Sequence, residues 1–228
     1  MSEQDQFSGN DEGKEPEIWD EHRWEEFFRE SDKRTDKYLQ LLDKYKDHPD
    51  RDNIIAEQMG WTHLLDDEDA GREEWENEFV IDDFEEGEAW KQLTGYEPTE
   101  FDSFEHLPLY QKAHEFTVDS IKMVNVRFAD QEDESVRTFA QNVTIPAAKI
   151  AGGFAFGFEP DSIGGNIANC KRGLSAANRM LDALYQMGEK ELMDRELYLK
   201  YYERAKEIRD ELAIYIVELR ERFKRGLP

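Results

Sequence analysis

The chain has 228 residues, 38% of them hydrophobic, with 14 Phe, 9 Tyr and 5 Trp; this is enough apolar material to close a core and excludes wholesale disorder. Its formal charge is −25, and residues 1–100 hold 33 acidic against 11 basic side chains, whereas residues 101–228 hold 21 against 18. A surface of that sign repels phosphate backbones and anionic lipid over about 8–10 Å, so the N-terminal half is unsuited to nucleic acid and favours cationic partners such as basic proteins.

In chain order, residues 1–16 are polar and acidic and read as a disordered tail. From Glu17 the pattern turns helical. Trp24, Phe27, Phe28, Ser31, Thr35, Tyr38, Leu42 and Tyr45 follow three-and-four spacing along one stripe. His48-Pro49 closes that helix, because proline disfavours the helical conformation in the residue before it. A short helix over 53–59 follows, with Gly60 as its stop. Residues 64–105 carry 17 acids against two bases, yet Trp75, Phe79 and Phe84 are threaded through them. Three readings suit its residues 72–90: mimicry of nucleic-acid charge, an anchor whose hot spots are Trp75, Phe79 and Phe84, or a segment folding back on its own bundle, which we favour.

After Pro108 helical periodicity dominates. Tyr110, Ala113, Thr117, Ile121, Val124 and Phe128 form a first stripe. Val136, Phe139, Val143, Ala147, Ile150 and Phe154 form a second, with Pro146 as a kink inside it. Ile163, Ile167, Cys170, Leu174, Ala177, Leu181 and Leu184 form a third, closed by Gly188. Tyr198, Tyr201, Ala205, Ile208, Leu212, Tyr215 and Leu219 form a fourth. The last two keep four-three alternation, the spacing of left-handed bundle packing, and short connections at Gly157–Pro160 and Gly188 make the later helices antiparallel. The expected fold is all-α: an antiparallel up-and-down four-helix bundle over 105–228, preceded by an acidic, partly helical extension over 17–104.

This order of motifs resembles a known family. Tyr110-Gln111-Lys112-Ala113-His114-Glu115 opens the first bundle helix. Phe139-Ala140-Gln141 leads into Thr144-Ile145-Pro146-Ala147, and Ile150-Ala151-Gly152-Gly153-Phe154 follows. Over residues 108–224 the chain is similar to the four-helix-bundle proteins encoded in intervening sequences of bacterial 23S ribosomal RNA genes. Their relatives include the accessory variability determinant proteins of diversity-generating retroelements. The resemblance implies a ring-like homo-oligomer, typically a pentamer, with no catalytic residues; in the retroelement relatives it implies a basic surface serving a reverse transcriptase and RNA. It also places His114 at a recurring position. The chain departs from the pattern where Lys149 and Gly152 replace the family's usual Asn and Glu, and its bundle is near neutral rather than basic.

The residues that carry chemistry elsewhere have plain readings here. Gly152-Gly153 and Gly164-Gly165 lack the Gly-Lys-Ser/Thr of a phosphate loop, and the small residues from Ala147 to Gly157 read as letting two helix backbones approach closely or as marking a kink. A di-metal bundle needs Glu-x-x-His on two helices, but the residues three before the five histidines are Trp19, Tyr45, Gly60, Ser103 and Gln111. No metal or cofactor is expected. Cys170, the only cysteine, lies on an apolar stripe as a small hydrophobe and suits a reducing compartment. The chain opens without a secretory pattern, and its longest uncharged run, Thr138 to Ala148, is far short of a membrane span, so a cytoplasmic protein is expected. Tyr198, Tyr201, Tyr202 and Tyr215 read as core with hydroxyls at the rim. The functional expectation is a non-enzymatic oligomeric scaffold or adaptor, acting through the bundle and the acidic half; the alternative is a nucleic-acid or reverse-transcriptase accessory protein. Trp75, Phe79, Phe84, His114 and Lys149 are its candidate interaction residues.

Overall fold

The computed structural model describes residues 18–62 and 103–226, and every regular element among them is helical. They are α1 (Glu21–Tyr45), α2 (Arg51–Met59), a 3-10 turn (Phe104–His106), α3 (Pro108–Arg127), α4 (Glu134–Val143), α5 (Ile145–Phe156), α6 (Ile163–Glu189) and α7 (Arg195–Arg225). The expected tail over 1–16 and the aromatics Trp75, Phe79 and Phe84 lie outside the described residues. The chain divides into two compact units. One joins the residues up to Glu25 to Thr99–Pro228; the other is Glu26–Pro98, so the division falls inside α1.

In the second unit α1 ends at Tyr45 ahead of His48-Pro49, and α2 ends on Gly60. Gly60 takes φ 74°, which lets Trp61 N–H close back on the Ala56 carbonyl at 2.7 Å. The two helices are tied by the Tyr38 ring tilted against Trp61, with centroids 5.7 Å apart, and by Lys37 Nζ donating to the Gln58 carbonyl at 2.5 Å. Leu41, Ile55 and Ala56 are the buried residues among those described in this unit. The sequence stripe ran through Phe27 and Leu42 instead. Phe27 is 47% exposed, and Leu41, one position earlier than Leu42, takes the interior.

The bundle consists of four rods. Each packs on two others, α3 on the α4–α5 rod and α7, and α6 on the other side of the same pair. Side-chain ties fix the directions. Lys112 near the start of α3 reaches Glu207 and Glu211 in the middle of α7, while Arg127 at the end of α3 faces Asp194 at the start of α7. Asp133 caps α4 by accepting from Ser135 N–H at 2.8 Å, and Lys190 beyond the end of α6 grips the same carboxylate at 2.9 Å. Neighbouring rods are thus antiparallel, as the short connections require.

Phe116, Phe139, Ile150, Ile167, Met180, Leu184 and Leu212 lie at the centre, each no more than 1% exposed. The second, third and fourth stripes hold, with Phe154, Leu174, Tyr198 and Tyr215 at their margins. The first is rotated. α3 buries Leu109, Ala113, Phe116, Ser120 and Met123, and turns Ile121 outward. At Pro146 the second rod breaks rather than kinks: α4 ends at Val143 and α5 restarts at Ile145. Proline has no N–H to continue the ladder and is tolerated in a first helical turn. Thr117 Oγ1 lies 2.9 Å from the Val143 carbonyl and donates across the break.

Candidate interaction site

From Ile163 to Cys170 α6 carries no charged residue, and all eight residues are buried. A bundle helix ordinarily leaves a polar face to water. Here the outward face is covered by residues 18–25, a strap belonging to the same compact unit. Asp20 starts α1 by accepting from the N–H groups of His22 and Arg23 at 3.0 and 2.9 Å. This seats Trp19 and Trp24 side by side, ring centroids 5.2 Å apart, and sets Trp24 edge-on to Phe156 of α5 at 5.0 Å. Gly164 is the floor: a Cβ there would stand 2.2 Å from the Trp19 carbonyl oxygen and 2.8 Å from the Trp24 ring. Gly165 makes room for the Phe156 ring in the same way, at 2.6 Å, and Gly153 for Asn166 of α6 at 2.7 Å. Gly153 is therefore a point of close helix approach, as expected, and Gly164 and Gly165 are two further points of close approach.

Charge fixes the strap's position. Glu21 is 9% exposed and accepts from Lys171 Nζ at 2.9 Å and from Arg220 at 2.8 and 2.5 Å, so it links α6 to α7. Hydrogen bonds from Arg220 and then Lys171, working against desolvation, hold its carboxyl down at about 2. One turn on, Glu25 takes Arg172 in a two-point grip at 2.8 and 3.4 Å. Removing one side of such a part-buried cluster is costly, because it leaves the remaining charges without their partner. Two carboxylates and two indoles thus meet three cations and a glycine floor.

No family model, no curated protein and no solved structure matches the chain. The chemistry therefore rests on the residues themselves. Burial pushes the Cys170 thiol up to about 12, and its S–H points at Asn166 Oδ1 3.5 Å away, so it is neutral at physiological pH. Burial also raises Tyr215 beside it. Among the described residues no group of three His, Cys, Asp or Glu is placed to hold a metal, and no helix is long and apolar enough to cross a membrane.

A cleft of about 580 Å³ opens where the end of α3 meets the α6–α7 turn, lined by Arg127, Tyr185, Leu192, Met193, Arg195 and Tyr198 together with Glu189, Glu191 and Asp194. Arg127 and Arg195 stand against Glu189, Glu191 and Asp194 in that lining, so the two signs nearly balance. Of the four tyrosines singled out, Tyr198 lines this cleft; Tyr201 is buried with its hydroxyl donating to the Asp119 carbonyl at 3.3 Å. His114 is exposed on α3 and stacks over Tyr110 one turn earlier, at 5.7 Å. Lys149 is half-buried on α5, its Cβ 3.2 Å from where a Cβ on Gly173 would stand. No described interaction joins His114 to Lys149. The strap residues Glu21 and Glu25 and their partners Lys171, Arg172 and Arg220 escape stripe analysis. The blank outward face of α6 was the available signal.

Proposed function

We propose that the chain is a non-enzymatic scaffold of the cytoplasm whose bundle assembles with copies of itself, while its acidic N-terminal half engages a basic protein partner. The observation that carries the reading is the outer face of α7, where Ile214 and Val217 sit 59% and 55% exposed, one turn apart, on a helix otherwise studded with charge. On the neighbouring helix α3, Ile121 and Val126 are 41% and 83% exposed. An aliphatic pair such as Ile214 and Val217, outside the buried core, suits contact with another subunit. The motif resemblance supports the same reading and suggests a pentameric ring.

Service to a reverse transcriptase and RNA, the second reading, would use cations on the bundle. Lys171, Arg172 and Arg220 are instead taken up by Glu21 and Glu25, which favours the scaffold. Sedimentation velocity tests it. The wild type is expected to sediment as an oligomer, and Ile214→Asp/Val217→Asp as a folded monomer. Unchanged sedimentation of the double variant contradicts assembly through this face.

A further inference from the structure

The seat on α6 is built to be filled. Eight uncharged residues, a floor at Gly164 and a rim of Lys171, Arg172 and Arg220 leave an acidic, aromatic segment as the fitting occupant. In this structure the occupant is the chain's own strap, residues 18–25, yet strap and seat are far apart along the chain. The chain leaves the bundle's compact unit after Glu25 and rejoins it at Thr99. Glu21 and Arg220 are 199 positions apart. None of the contacts, whether the Gly164 floor, the Glu21 cluster or the Glu25–Arg172 grip, requires that both sides belong to one molecule.

We infer that the seat also accepts residues 18–25 of a second copy, so that assembled chains are joined by exchange of their straps. The inference deepens the scaffold reading and rests on it. Exchange reproduces every contact of the isolated copy, so it loses no interaction and is opposed only by the freedom given up on association. The occupant is specified by its pattern: Trp19, Glu21, Trp24 and Glu25, with both carboxylates matched to cations and Trp19 and Trp24 against the glycine floor. Within an assembly, neighbouring seats raise the local concentration of straps until a neighbour's competes with the chain's own.

Cross-linking of full-length chains tests this. Chains carrying Glu25→Cys and chains carrying Arg172→Cys, with distinguishable tags, are mixed and treated with a short bismaleimide. Cys170 stays silent, being buried and neutral. A chain with both substitutions reports the seat's own occupancy through an intramolecular link. The expected result is a cross-linked heterodimer in the mixture, falling about tenfold when the Arg172→Cys chain also carries Gly164→Val. A link confined to the doubly substituted chain, in a sample that light scattering shows to be oligomeric, overturns exchange and leaves the scaffold standing. Monomers at every concentration remove both. No link at all from a doubly substituted chain with native helical circular dichroism overturns the seat itself.

Discussion

Two residues concentrate the physics of this molecule at the smallest scale. Glu191 occupies the left-handed region at φ 54°, where helix α6 closes with Leu192 N–H on the Met187 carbonyl and Glu191 N–H on the Gly188 carbonyl. That closure normally recruits glycine, because a Cβ there costs about 1 kcal/mol. Glu191→Gly is therefore expected to raise stability by about 1 kcal/mol, read as a shift of the urea midpoint with unchanged slope. Glu21 works in the opposite sense. Its folded carboxyl is held from 4.5 down to about 2, so its stabilisation is complete above the unfolded value and is lost as pH falls through that window. Lys171 and Arg220 remain 34% and 42% exposed, and solvent screening leaves about 2 kcal/mol. Asp133, also lowered to about 2, titrates in the same window, so the test is a difference. Glu21→Gln should unfold more easily than wild type at neutral pH, and the gap should close as pH approaches 2. A gap independent of pH contradicts the assignment.

Elements divide cleanly into those that pattern alone places and those that packing decides. Along α7 the sequence stripe matches the buried one, and the two sides of the helix should respond differently. Leu212→Ala, fully buried, is expected to cost about 3 kcal/mol, against less than about 0.5 kcal/mol for loss of folding stability in Ile214→Ala. Helix α3 was harder to read, because its apolar residues are spread around the barrel of the helix. Ile121, Val124 and Val126 compete with Leu109, Phe116 and Met123, and packing against Phe139 and Tyr201 selects the set that contains Phe116. Ser120, polar and wholly buried, weakened the true stripe. Pro146 announced an interruption, but whether a rod bends or restarts depends on what receives the freed carbonyls, and Thr117 lies on another helix. On the seat, Gly164→Ala is expected to lift the strap: a Cβ 2.2 Å from the Trp19 carbonyl cannot be absorbed by a side-chain rotation. Red-shifted tryptophan emission and faster proteolysis near residues 18–25, with the rest of the bundle still folded, would be the signature; an emission spectrum identical to wild type would contradict it.

For the whole molecule, heptad spacing and short connections in the second half made the all-helical bundle legible, since each stripe has only the others to hide against. The strap was not legible, because a pair such as Glu21 and Arg220 has no local spacing to reveal it. Its only trace was an uncharged run at the start of α6, where an uncovered bundle helix would carry charge. Two surfaces of the bundle bear on assembly: the strap's seat, already filled, and the exposed aliphatic face of α7. Native mass spectrometry of the full chain across about a hundredfold range of concentration is the most direct measurement. The expected result is one closed species whose mass is an integer multiple of 26.9 kDa, with the family resemblance pointing to five copies. A single 26.9 kDa species at every concentration would contradict the account.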